Sequence, residues 1–333
     1  MYLSKNDIKT VAIVGTGVIG AGWAARCIQR GIDVFATDPA PNAEETLREV
    51  IANATQAMDK VVPVPAEKKG KLIFTKDLKE AVENADYIQE SAPEVETIKI
   101  PLLNNIDKYA KPNAIIGTST SGLLPSRLQA EMTHPDRFVV SHPFNPVYLL
   151  PLVEVLGGEK TSPEAVEAAM DFYTMIGMHP LKVRVEVDGF IADRLLEALW
   201  RELLHLINDD IANTREIDEA ISYGAGLRWA IMGTCMTYYL AGGKNGMRHF
   251  MAQFGPALKL PWAHIEAPEL TDEIIDKMVD GTAEQAEGKS LREWEQLRDN
   301  CLVGIMEALS QFDHGAGKTL KEDREIQRQR QLI

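Results

Sequence analysis

Over its first half the chain alternates short apolar runs with stretches of helical periodicity, and beyond that it turns wholly helical. Residues 9–14 (KTVAIV) form a short β-branched run, the pattern of a strand buried on both faces. Similar runs at 33–37, 72–75, 87–90, 114–118 and 180–185 predict further strands. Helical patterns separate them: 42–72, broken by VVPVP at 61–65, then 78–85, 94–109, 124–131 and 162–176. Residues 138–156 (FVVSHPFNPVYLLPLVEVL) stand apart, an apolar stretch folded around a Pro-Phe-Asn-Pro turn. Asp188-Gly189 marks a boundary. After it Phe190, Ile191, Leu195, Leu196, Leu199, Trp200, Leu203, Leu204 and Ile207 keep helical steps of three and four. Further helices are expected at 217–223, 274–280 and 291–309, and the charged segment from Lys318 reads as a loosely held tail.

The connection after the first strand sharpens the fold. Gly15, Gly17 and Gly20 stand in G-T-G-V-I-G, a helix follows, and the second strand ends at Asp38. In such a unit the first glycine makes the tight turn and the second admits a pyrophosphate to the backbone. The third lets helix and strand pack closely, and an acidic residue after the second strand meets ribose hydroxyls while repelling a 2′-phosphate. Gly15, Gly17, Val18, Ile19, Gly20 and Asp38 are therefore the candidate cofactor residues, and NAD the expected cofactor. The fold class that follows is α/β, a Rossmann-type doubly wound sheet with an all-α C-terminal domain. Its expected divisions are a NAD-binding domain at 1–187, a helical substrate and dimerisation domain at 188–317, and a charged tail at 318–333.

Composition narrows the partners. With 333 residues, 45% hydrophobic and 25% charged, there is enough chain for two cores. A net charge of −14 disfavours nucleic acid and anionic membrane surfaces. Three cysteines without C-x-x-C spacing suit reduced thiols, and no metal site is expected. The N-terminal residues run straight into a strand with no apolar leader, and no run reaches membrane-span length, so the expected location is cytoplasmic.

The candidate chemistry centres on His142, beside the Pro-Phe-Asn-Pro turn, and Glu154 twelve positions later. An imidazole can take a proton near neutral pH, and a carboxylate on its far nitrogen fixes the tautomer and stabilises the imidazolium. Together with a dinucleotide, that pair suits oxidation of an alcohol. The polar loop Ser119-Thr120-Ser121-Gly122 follows a strand end, where hydroxyls either touch ligand or cap the next helix.

With these motifs placed, the chain resembles the 3-hydroxyacyl-CoA dehydrogenase superfamily across nearly its whole length up to the tail. The resemblance implies that His142 is the general base, Glu154 its orienting partner and Ser121 a contact to the substrate oxygen. It carries the family's cofactor-side glutamate and lysine onto Glu94 and Lys99. The family's asparagine-arginine pair falls on Asp193-Arg194, a departure that argues against an acyl-CoA substrate. GAGLRWAIMG at 224–233 is similar to a small-acid branch that includes enzymes of L-gulonate and the lens protein lambda-crystallin. YYLAGGKNGMRHFMAQFGP, with Pro261-Trp262, is most similar to members that oxidise L-carnitine.

The resemblance therefore implies L-carnitine as the small-molecule substrate and a homodimer. Another small 3-hydroxy acid, and a non-catalytic NAD-binding role, stay open. A quaternary ammonium is recognised by aromatic faces and a carboxylate at a distance. On this reading Asp193, Phe144, Asn145, Phe190 and Arg194 are the candidate substrate residues. Trp200, Trp229, Tyr238, Tyr239, Phe250 and Phe254 are read chiefly as core, and Asp193 is equally suited to favouring a helix start.

Overall fold

The computed structural model describes residues 2–333, which form two compact units. The first comprises the chain through Asp193 together with Leu302–Ile333, and the second is Arg194–Cys301. In the first unit strands and helices alternate. They are β1 (Thr10–Val14), α1 (Val18–Gln29), β2 (Asp33–Thr37), α2 (Ala43–Val61), β3 (Leu72–Thr75), α3 (Leu78–Glu83), β4 (Tyr87–Glu90), α4 (Glu96–Tyr109), β5 (Ile115–Thr118) and α5 (Pro125–Leu128). Then come β6 (Phe138–Pro143), β7 (Leu152–Gly157), α6 (Pro163–Met175), β8 (His179–Lys182) and the start of α7 (Ala192–Asn208).

The eight strands make one sheet in the order β3-β2-β1-β4-β5-β6-β7-β8. Every neighbouring pair is parallel except β6 and β7, which run antiparallel. The order reverses direction between β1 and β4, and a crevice opens there at the strands' carboxyl ends.

The unbroken apolar runs have a direct cause: both faces of the sheet are covered. Val11 and Ile13 of β1 pack with Trp23, Phe172 and Tyr173 on one side. Ala12 and Val14 pack with Leu103, Ile106 and Leu128 on the other. Each fully buried Val or Ile contributes about 1.5–3 kcal/mol to the driving force. Helix starts follow side-chain chemistry. Asp77 accepts the Lys79 N–H at α3, and Ser162 accepts the Ala165 N–H at α6 with Pro163 in the first turn.

The C-terminal segment is not a loose tail. Residues 315–329 form α14 (Gly315–Gln329, numbered after the helices of the second unit), with Leu320, Asp323 and Gln327 buried against the first unit. Its charges misled because one of them, Asp323, points inward: Arg30 at the end of α1 donates from Nε to Asp323 Oδ1 at 3.0 Å, and its Nη2 pairs with Oδ2. Gln327 donates to Asp323 and to the Met175 carbonyl.

The second unit contains α8 (Thr214–Ala220), α9 (Gly226–Trp229), α10 (Thr234–Ala241), α11 (Gly246–Phe254), α12 (Asp272–Gln285) and most of α13 (Leu291–Gln311). A capping box of Asn213 and Glu216 starts α8. Contrary to the core reading of its aromatics, Trp200, Trp229, Tyr238, Tyr239 and Phe254 are exposed within the single chain. Tyr238, Phe250 and Phe254 stack in sequence at centroid distances of 4.5 and 4.9 Å.

Candidate active site

The glycine turn builds one end of the site. Gly15 has φ +91°, and a Cβ there would stand 2.6 Å from the Ser91 carbonyl oxygen. A Cβ on Gly20 would collide with the Gly15 carbonyl, so α1 can sit this close to the turn only with glycine. Gly17 differs, since a Cβ there would meet nothing within 4 Å. It is the N-cap of α1, and no side chain accepts from the helix's first N–H groups. Those groups and the positive end of the helix dipole are left for an anion.

A cleft of about 900 Å³ lies alongside, lined by Gly15, Gly17, Asp38, Lys76, Pro93 and Ile98 among others. Asp38 closes its far end. Its Oδ2 accepts the Thr16 N–H at 2.7 Å, its Oδ1 accepts the Ala40 N–H at 2.8 Å, and Lys76 donates to the carbonyls of Asp38 and Ala40. An open cradle at Gly17, free helix N–H groups and a fixed carboxylate fit a dinucleotide with an unmodified ribose. Val18 is exposed and Ile19 half-buried at the same turn.

His142 and Glu154 are brought together by strand pairing. They face each other in the β6–β7 ladder, and His142 Nδ1 lies 3.0 Å from Glu154 Oε2. Both are buried. The other carboxylate oxygen, Oε1, accepts the Ile191 and Ala192 N–H groups, each at 3.0 Å, at the N-terminus of α7. Burial pushes the Glu154 carboxyl up, but the bonds from His142, Ala192 and Ile191 outweigh it and hold the group below its usual range. An ionised Glu154 keeps the proton on Nδ1 and leaves Nε2 to act as a base.

On the Nε2 side stands Asp193, with Oδ2 at 3.6 Å. Phe144 and Phe190 flank the imidazole at centroid distances of 4.7 and 5.7 Å. The sequence placed Phe190 in the helical stripe. Instead it occupies a left-handed turn with Gly189 before α7 begins, fully buried against Val140, Leu156 and Val183. That turn aims the α7 N–H groups at Glu154. Asn145 and Arg194 are exposed.

Glu94, Lys99 and Ser121 form a third group. Glu94 precedes α4 rather than opening it, and its Oε1 accepts the N–H groups of Ser121 and Gly122 and the Thr120 hydroxyl. Thr120 accepts the Leu123 N–H, so the capping hydroxyl of this loop is Thr120, and Ser121 lies exposed. Lys99 is buried, its ammonium committed to Glu90 at 2.8 Å and the Ala92 carbonyl at 3.0 Å, with Glu94 at 3.6 Å. It meets the cleft only through these partners. Sequence reasoning missed Glu90, which accepts from both Lys99 and the Thr118 hydroxyl beneath the loop. An acidic residue ending an apolar strand was its one signal.

Cradle, carboxylate and sheet order together define a NAD-dependent dehydrogenase of the doubly wound class. The chain belongs to the 3-hydroxyacyl-CoA dehydrogenase family: residues 10–187 match its NAD binding domain and residues 189–289 its C-terminal domain. It is 58% identical over 311 residues to the L-carnitine dehydrogenase of Pseudomonas putida, covering 93% of this chain and 97% of that one. It is 52% identical to the L-carnitine dehydrogenase of Bacillus cereus, covering 94% and 96%. Among solved structures it resembles a NAD+ dependent dismutase, 5-formyl-3-hydroxy-2-methylpyridine 4-carboxylic acid 5-dehydrogenase. There the TM-score is 0.77, the identity 28%, and the match covers 91% of this chain and 98% of that one.

Proposed function

We propose that the chain oxidises L-carnitine at C3 to 3-dehydrocarnitine, using NAD+. The observation that carries the reading is the setting of His142, with one ring nitrogen fixed by a buried carboxylate and the other beside a second carboxylate, Asp193. High identity to L-carnitine dehydrogenases over nearly the full length supports the choice of substrate. NAD+, held by the Gly15–Gly20 turn and Asp38, supplies the hydride acceptor.

His142 Nε2 takes the hydroxyl proton, and Glu154 offsets the charge that appears on the imidazole. Ser121 Oγ bonds the reacting oxygen, in a loop held by Glu94. Lys99 acts indirectly, by fixing Glu90 and the Ala92 carbonyl. Asp193 meets the trimethylammonium group, which lies two bonds from the reacting carbon and offers no N–H donor; Phe144 adds an aromatic face. Phe190 lies against the His142 ring, and Asn145 and Arg194 are each exposed polar groups assigned to the substrate on this reading.

The same reading makes the protein a cytoplasmic homodimer. All three cysteines are free, and no helix among the described residues is long and apolar enough to cross a membrane. The second unit exposes Tyr239, Leu240, Met251, Phe254, Leu258 and Trp262, a surface that a second copy can cover. Light scattering should therefore give twice the chain mass.

The test of the activity is NADH formation from NAD+ with L-carnitine, L-gulonate and a 3-hydroxybutyryl thioester at matched concentrations. Turnover of L-carnitine alone is expected. Turnover of gulonate instead removes the role given to Asp193, and no turnover with intact NADH binding leaves a non-catalytic protein.

A further inference from the structure

Strand β4 ends on a carboxylate that solvent does not reach. Glu90 is 0% exposed, and its partners lie on three different segments. Its Oε1 accepts the Ala92 N–H at 2.6 Å and a bond from Lys99 Nζ at 2.8 Å. Its Oε2 accepts a second bond from Lys99 Nζ, at 3.1 Å, and the Thr118 hydroxyl. The Glu90 carbonyl accepts the Ser119 N–H at 2.8 Å. One residue therefore holds residues 91–93, helix α4 and the end of β5.

Those segments border different parts of the site. Ser91, Ala92 and Pro93 line the cleft beside the glycine turn. Residues 119–122 carry Ser121, and Glu94 Oε1 holds this loop through the Thr120 hydroxyl and the Ser121 and Gly122 N–H groups. The other oxygen of Glu94 stands 3.6 Å from Lys99. Where the two segments meet, the Ser91 and Ser119 hydroxyls are 2.9 Å apart. Glu90 and Lys99 lie beneath both, each fully buried.

We infer that Glu90 is a positioning residue for the dehydrogenase reaction, holding the cofactor-side segment 91–93 and the Ser121 loop in one fixed relation. Lys99 carries its hold to Glu94, and Thr118 carries it to the strand from which the loop leaves. Being buried, Glu90 acts through Ala92 on one side and Ser121 on the other. Apolar groups of the same volume would serve stability as well as a buried ion pair does. They could not aim four hydrogen bonds at three segments. The inference rests on the role given to Ser121 and not on the choice of carnitine.

The test uses two variants of the full-length protein, each made alone and together with Ser121→Ala. Glu90→Gln keeps the size of the side chain and removes its charge, and Thr118→Val removes only the hydroxyl on Oε2. With saturating NAD+ and the alcohol selected by the assay above, kcat should fall about 10- to 100-fold in Glu90→Gln and by less in Thr118→Val. NADH fluorescence titration should show binding weakened about three- to tenfold in Glu90→Gln, which frees Ala92, and near wild type in Thr118→Val. In the Ser121→Ala background both losses in kcat should shrink to about twofold or less, because the contact they position is gone. Normal kcat in either variant, or normal NADH affinity in Glu90→Gln, overturns the proposal. So does a loss that multiplies undiminished with Ser121→Ala, the mark of a purely structural role. If Ser121→Ala alone turns over normally, the role of Ser121 falls and this inference falls with it. Should Glu90→Gln not fold, Thr118→Val against Ser121→Ala decides alone.

Discussion

Glu154 holds His142 from both ends of its own carboxylate: Oε2 meets Nδ1 at 3.0 Å while Oε1 is anchored by the first N–H groups of α7. The histidine is thereby tied to the strand ladder and to a helix terminus at once. Its remaining nitrogen is left beside Asp193, at 3.6 Å.

For the proton transfer, His142→Ala should lower the rate of alcohol oxidation by on the order of 10²–10⁴. Glu154→Gln, which keeps an acceptor for Nδ1 but not the charge, should fall toward the lower end of that range. Neither side chain lines the glycine cleft, so NADH fluorescence titration should give wild-type affinity in both variants. Near-normal turnover by His142→Ala would remove the residue from the role.

Asp193 should act on substrate choice. In Asp193→Asn the KM for L-carnitine should rise about tenfold, the worth of roughly 1.4 kcal/mol for a cation placed against a partly exposed carboxylate. Oxidation of 3-hydroxybutyrate, which lacks the ammonium, should be little changed or improved. The ratio of kcat/KM for the two substrates is the measurement, and an unaltered ratio would discard the assignment.

Much of this was readable in advance, because it depends on local chemistry. The glycine turn, the strand ending at Asp38 and the apolar strands are fixed by sterics and burial at nearby positions. His142 and Glu154 stood out by residue type and setting, whereas the antiparallel return across residues 144–151 that brings them opposite each other is seen only in the structure. What stayed hidden depends on contacts distant in sequence. Glu90 and Lys99 are nine residues apart, but their burial under the Thr118–Gly122 loop needs the β4–β5 pairing. The left-handed turn at Phe190 looked like helix because an apolar residue fits a helical stripe whatever its φ.

The depressed Glu154 carboxyl links folding to pH. A group whose folded value lies below its unfolded value, ordinarily near 4.5, stabilises the fold fully above that unfolded value. That stability is lost as pH falls through the folded value. Urea midpoints measured from about pH 6 to pH 3 should therefore drop more steeply for wild type than for Glu154→Gln. Parallel curves would show that Glu154 gains nothing from its partners on folding.

The helix that the sequence made look like a tail is held by an ion pair between residues far apart in the chain. Asp323 is 293 residues from Arg30, and both side chains are only 3% exposed. Removing one partner of so enclosed a pair strands the other's charge, so Asp323→Ala should cost about 3–5 kcal/mol of unfolding free energy by urea denaturation. A solvated tail would predict almost no change for the same substitution. The double variant Arg30→Met, Asp323→Leu separates the two causes of loss. It removes both charges while keeping apolar bulk, and should recover much of the deficit if the stranded guanidinium is what destabilises. Failure to recover would point instead to the shape of the contact with Gly177, where a Cβ would already overlap the Asp323 carboxylate.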